Sequence, residues 1–284
     1  MVVAETTIVT AFYPLKKSKH TISQYRAWIQ NFCKIPSAMV IFTTESYALE
    51  MYQWRKEFLD KTVVIVRPFD SFAMTCPAMM TFWEKQYTID PNQHIHNPEL
   101  YAVWAIKQEV VRIALNYNQF QSKWFVWCDI GIQRYSALQP FYQTFPSDVE
   151  RLCKPGRMTF LEVAQIPESY VNDWREGKPM EYPIPANSLG GTCIVGDSEA
   201  WLEFGEAYKE MLKESALRNW FAGLDQQVYF AILMEKKTKP FRLFNAKMFG
   251  HPGQQQVPGI DWMSFPPMLG GLLDAALDTR FEQV

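Results

Sequence analysis

Short runs of β-branched and aromatic residues alternate with longer stretches in which apolar positions recur every three or four residues, a pattern that predicts a layered α/β domain. Thr7 to Tyr13 reads as the first strand. Behind Ser23, a candidate N-cap, Tyr25, Trp28, Ile29 and Phe32 fall at helical spacing, so a helix is expected next. Ala38 to Thr43 is a second strand, the segment from Tyr47 to Phe58 a second helix, and Thr62 to Arg67 a third strand stopped by Pro68. Strands joined in this way by helices make right-handed connections, and ligands bind beyond the carboxyl ends of the strands. The loops to watch are therefore Ala11 to Pro14, Thr43 to Ser46 and Arg67 to Ser71.

After an irregular stretch from Tyr87 to His96, Asn97-Pro98-Glu99 supplies a cap residue, a proline at the first helical position and an acid in the first turn. A long helix then runs through Leu100, Val103, Trp104, Val110, Val111 and Ala114. Trp124 to Cys128 is apolar without alternation, as expected of a strand buried on both faces, and it ends at Asp129. Beyond it the pattern gives a strand near Met158 to Val163, a polar loop from Gln165 to Asn187, and helices from Ser198 to about Leu217 and from about Leu224 to Glu235. A final strand, Phe241 to Phe249, leads into a tail rich in glycine and proline. No internal repeat and no Gly/Ser-rich linker divides the chain.

Composition narrows the function. With 284 residues, 48% of them hydrophobic and 20% charged, the chain can bury a large core. The aromatic share of 15% fits thick packing first and a sugar-stacking surface second. Net charge is −2 and no run of five like charges occurs, so nucleic acid is not an expected partner. The five cysteines are odd in number and form no C-x-x-C pair, which suggests neither a disulfide framework nor a zinc knuckle and points to a reducing cytosol. The amino terminus meets Glu5 before an apolar signal region can build, and no apolar run spans a bilayer; a cytoplasmic protein without a transmembrane segment is expected, with peripheral membrane attachment through a partner left open. Signatures of P-loop, dinucleotide-binding, α/β-hydrolase and zincin proteins are all missing.

The strongest chemical signal is Asp129. An ionised carboxylate at the end of an apolar central strand needs a cleft, a cation or several hydrogen-bond donors; capping a turn is the plainer alternative. Gly131, two residues on, would let a ligand or metal approach the backbone. Asp225-Gln226 stands at a helix start, where Asp225 is either a cap or a base, nucleophile or positioning group. His251, between Gly250 and Pro252, is a candidate metal ligand with Asp129 or else a surface residue; His94 and His96, in His-x-His spacing, could bind metal if the segment is extended and otherwise read as solvated. Lys107, Arg67 and Arg134 could neutralise a diphosphate, the plainer alternative for each being an ordinary surface charge. Gly190-Gly191 would bring backbone near an acceptor or make a tight turn.

In chain order, Thr7 to Tyr13, Val40 to Thr44, His96 to Tyr101 with Trp104 and Lys107, and Trp124 to Gly131 with Arg134 resemble the HtrL/YibB-like proteins, as do Gly190-Gly191 and Asp225-Gln226. That family is grouped with GT-A-type glycosyltransferases and associated with bacterial lipopolysaccharide-core gene regions. The resemblance implies a GT-A-like, Rossmann-like mixed central sheet flanked by helices, with a nucleotide-sugar-binding half over about 1–135 and an acceptor half over about 136–284. It implies that Asp129 and His251 hold a divalent cation, Mn²⁺ or Mg²⁺, and that Asp225 serves the chemistry. Thr10, Ala11, Phe12, Tyr13, Arg67, Lys107, Ile130, Gly131 and Arg134 would bind the donor, and Gly190, Gly191 and Gln226 a glycan or glycolipid acceptor. Gly131 stands where many relatives carry a second metal-binding acid, which moves charge onto Lys107, Arg67 or Arg134. The other readings are a glycan-binding module without catalysis, a metal-dependent nucleotidyltransferase, and a structural protein.

Overall fold

The computed structural model describes residues 2–134, 139–140, 142–181, 188–245, 261–271 and 275–282. Among these, the short apolar runs form β1 (Thr6–Phe12), β2 (Met39–Thr43), β3 (Thr62–Val66), β4 (Trp124–Cys128), β5 (Thr159–Glu162), β6 (Leu189–Asp197), β7 (Arg242–Asn245) and β8 (Ala276–Asp278). They join in one mixed eight-stranded sheet of order β3-β2-β1-β4-β6-β5-β7-β8. The β3, β2, β1 and β4 strands run parallel, and β6 enters antiparallel to both β4 and β5. Helices α1 (Ile22–Phe32), α2 (Glu45–Trp54), α3 (Pro77–Thr88), α4 (Pro98–Ala105), α5 (Lys107–Tyr117), α6 (Val149–Leu152), α7 (Glu168–Glu176), α8 (Ser198–Arg218), α9 (Asp225–Met234) and α10 (Phe265–Leu269) flank it.

Strands buried on both faces explain the runs without alternation. In β4, Phe125 and Trp127 face one core layer, shared with α5, α8 and α9, while Trp124, Val126 and Cys128 face another, shared with α1 and α10. Neighbouring positions of β1 divide likewise, Val9 to the first layer and Ile8 and Phe12 to the second. From β1 the chain passes to β2 and β3 on one side and returns to β4 on the other. This change of direction opens a crevice at the carboxyl ends of β1 and β4, where an α/β sheet binds ligands.

The elements differ from the sequence reading at particular points. Thr21, not Ser23, caps α1: its hydroxyl accepts from Gln24 N at 3.2 Å while Gln24 Oε1 accepts from Thr21 N at 2.9 Å. The long helix divides at Ile106 into α4 and α5, although Ile106 N still donates to Ala102 O at 3.0 Å. The stretch read as a polar loop contains α7, which Gly177 ends in a left-handed conformation with φ of 69°. Gly190-Gly191 lies inside β6 and makes no turn. The tail contributes α10 and β8, and of the expected last strand Arg242–Asn245 is observed, with Phe241 just before it and 246–249 outside the described residues.

Candidate functional site

At the end of β4 the backbone of Asp129 is fixed across the sheet, its N–H donating to Thr192 O in β6 at 2.8 Å, and its carbonyl accepts from Ile132 N at 3.0 Å to start a tight turn. The side chain is 30% exposed. Its Oδ1 accepts from the Trp127 indole N–H at 2.9 Å and pairs with Lys107 Nζ at 3.4 Å. Burial is the largest influence on this carboxyl and pushes it above its ordinary range, with Lys107 and the indole pulling the other way.

Lys107 opens α5, and its side chain is 5% exposed. Besides Asp129 it donates to Gly191 O at 2.7 Å and Asp225 Oδ2 at 2.8 Å, so the ammonium's three N–H groups all have protein acceptors. Desolvation by itself would lower the ammonium's pKa, but Asp129 and Asp225 together outweigh it and the net direction is up. Asp225, 4% exposed at the first position of α9, also accepts from the Tyr229 hydroxyl at 3.1 Å and from Gln226 N at 2.8 Å. A Cβ on Gly191 would stand 2.8 Å from Asp225 Oδ2, so the close approach of strand and carboxylate requires glycine there.

Above this ion-paired floor lies a cleft of about 330 Å³. Trp127, Asp129 and Lys107 reach it from below, Ala11, Phe12 and Tyr13 from the end of β1, and Leu100, Val103 and Trp104 from α4. Ile130, Gly131 and Arg134 complete the expected residues that line it. Arg134 is held by Gly131 O, 3.0 Å from Nε, and by the Trp28 ring, 4.8 Å from its guanidinium carbon.

Other expected site residues fall elsewhere. Thr10 is wholly buried, and its hydroxyl has no partner among the described residues. Arg67 is engaged in its own loop, donating to Ser71 Oγ at 2.9 Å and Ser71 O at 2.8 Å with its guanidinium over Phe72, and it does not line the cleft. Gly190, Gly191, Asp225 and Gln226 do not line the cleft. The Lys107 ammonium holds the floor and has no N–H left over for a diphosphate. Gly131 lines the cleft, and a Cβ there would make ordinary contact with Tyr25 at 3.5 Å and Trp28 at 3.6 Å. His251 lies outside the described residues.

The cleft also holds residues the sequence reading did not single out. Lys17, Lys19 and His20 stand at it, from the basic segment Lys16-Lys17-Ser18-Lys19-His20 just past the first strand. That cluster directly after a strand's carboxyl end was the available signal. Burial first, then Arg134 and Lys19, lowers the pKa of His20. His96, read from sequence as solvated, instead lines the cleft with Nδ1 2.8 Å from Asp90 Oδ2. Its place immediately before the Asn97 cap was visible; its pairing with Asp90 was not.

No protein-family model matches this chain, and neither does any curated protein. Among solved structures, mouse xyloside xylosyltransferase 1 in its apo form is similar at 11% identity over 83% of this chain and 82% of that one, with a TM-score of 0.41.

Proposed function

We propose that the protein transfers a sugar from a nucleoside-diphosphate donor to a hydroxyl of a glycan or glycolipid, with the donor seated in the cleft between β1 and α4. The observation that carries this reading is the partly open Asp129 carboxylate on the floor of a cleft whose rim bears Lys17, Lys19 and Arg134. An anionic diphosphate matches that rim, and the aromatic faces of Tyr13, Tyr25 and Trp104 suit a nucleobase and a sugar ring. The resemblance to the HtrL/YibB-like proteins supports the same reading.

A divalent cation, Mn²⁺ or Mg²⁺, would take Oδ2 of Asp129, which has no hydrogen-bond partner among the described residues, with His251 as the further ligand that the resemblance implies. Bound there, it would offset the charge that grows on the departing diphosphate. Among the described residues no group of three His, Cys, Asp or Glu side chains is placed to hold an ion, so much of that charge falls to Lys17, Lys19 and Arg134. Asp225 acts through Lys107, which it holds beneath Asp129, rather than by touching the sugar.

Screening nucleotide-sugars for slow donor hydrolysis, with and without manganese, tests the reading. Hydrolysis of one donor by the wild type and its loss in Asp129→Asn is the expected outcome, with a drop in turnover of about 10²-fold or more. Glycan binding without hydrolysis of any donor would assign a binding module instead. No helix among the described residues is long and apolar enough to cross a membrane.

A further inference from the structure

With Asp225 enclosed, the proton of an attacking hydroxyl needs another acceptor, and the described residues of the cleft offer few. Asp129 shares Oδ1 between the Trp127 indole and Lys107, and its Oδ2 is the oxygen that would take the divalent cation. The Tyr13 hydroxyl donates to Arg67 O at 3.1 Å, and burial holds this phenol above its usual range. His20 lies beside Lys19 and Arg134, which together with burial make it a weak base.

His96 differs in being oriented. Its Nδ1 lies 2.8 Å from Oδ2 of Asp90, whose side chain is wholly buried. Asp90 in turn accepts from the Tyr101 hydroxyl on Oδ2 and from Asn92 N at 2.7 Å on Oδ1. An ionised carboxylate only accepts, so the pairing places the ring hydrogen on Nδ1 and leaves the lone pair of the neutral imidazole on Nε2. Trp104 packs edge-on to the ring at 5.4 Å, and Nε2 has no hydrogen-bond partner among the described residues. Among the described residues, the other charged group bonded to His96 is Lys17, whose ammonium donates to the His96 carbonyl at 3.3 Å.

We propose that His96 is the general base of this cleft and Asp90 its positioning residue, an assignment that rests on the sugar-transfer reading above. As the acceptor oxygen bonds to the anomeric carbon, the bond from that carbon to the diphosphate oxygen breaks and its electron pair leaves with the nucleoside diphosphate. The hydroxyl proton moves to Nε2, Asp90 stays ionised beside the imidazolium, and the proton then passes to water. Displacement in one step inverts the configuration at the anomeric carbon.

His96→Asn isolates the role, because an amide N–H can still donate to Asp90 while the base is gone. With the nucleotide-sugar that the wild type turns over, kcat should fall about 10²- to 10⁴-fold while the binding of its nucleoside diphosphate and the melting temperature stay near wild type. Asp90→Asn should also lower kcat more than it raises the donor KM, and should change the pH profile of kcat. His96→Gln, which reaches differently, guards against an effect peculiar to asparagine. If both His96 variants keep kcat near the wild-type value, or if the product retains the donor's anomeric configuration, the assignment falls while sugar transfer stands. A wild-type protein that turns over no nucleotide-sugar would overturn sugar transfer and this base together.

Discussion

Gly131 and Gly191 each lie near a carboxylate of the site, yet a side chain would meet different surroundings at the two positions. At Gly191 a Cβ would press on Asp225 Oδ2 at 2.8 Å and Oδ1 at 3.2 Å, against a carboxylate that Lys107, Tyr229 and Gln226 already hold. At Gly131 the nearest atoms are ring carbons of Tyr25 and Trp28 at ordinary contact distance. Overpacking commonly costs about 1–3 kcal/mol, and that is the loss expected of Gly191→Ala in denaturant unfolding. Gly131→Ala should change stability by no more than about 0.5 kcal/mol. Equal losses at the two positions would show that crowding against Asp225 is not what requires the glycine in β6.

Element by element, the chain discloses what its local pattern controls. The apolar runs of β1 and β4 and the Asn97 cap, whose Oδ1 accepts from Leu100 N at 2.9 Å, follow from residues close together in sequence. The start of α1 tests the same local chemistry. Thr21→Ala removes the hydroxyl side of the capping box, leaving the backbone N–H that donates to Gln24, and should cost about 1 kcal/mol, whereas Ser23→Ala, inside the helix, should cost little; chemical unfolding of the two variants compares them directly. A larger loss at Ser23 would return the cap to where the sequence first suggested it. Less legible were features made by distant partners. Gly190-Gly191 suits a tight turn as well as a close backbone approach until β6 pairs with β4, in a register that places Cys128 opposite Cys193. Much of α7 is polar, and its buried Trp174 packs on Phe281, 107 positions later in the chain, so periodicity alone left it in a loop. Likewise Asp90 and His96 are separated by an irregular segment whose path no spacing rule specifies.

Across the whole molecule, the antiparallel pairing of β4 with β6 carries the second half of the chain under the cleft formed by the first. Lys107 is the cation at that junction, reaching from α5 to Gly191 in β6, Asp225 in α9 and Asp129 past β4. A net charge of −2 therefore conceals a local arrangement in which one lysine sits between two acids below a basic rim. Lys107→Met keeps much of the volume but leaves Asp225, 4% exposed, without its cation. Removing one member of a buried pair costs about 3–5 kcal/mol, and a loss of that size should appear in denaturant unfolding at neutral pH. Adding Asp225→Asn should recover part of it, since the stranded charge is then gone. The pH dependence has a definite sign: because the folded pKa of Lys107 lies above its ordinary 10.5, its contribution is complete below 10.5 and is lost only as pH rises through the higher folded value. The gap between wild type and Lys107→Met should accordingly hold steady through the neutral range and narrow in strong alkali. A gap that closed below pH 10 would mean that the ammonium's pairing with Asp129 and Asp225 is not what joins the two halves.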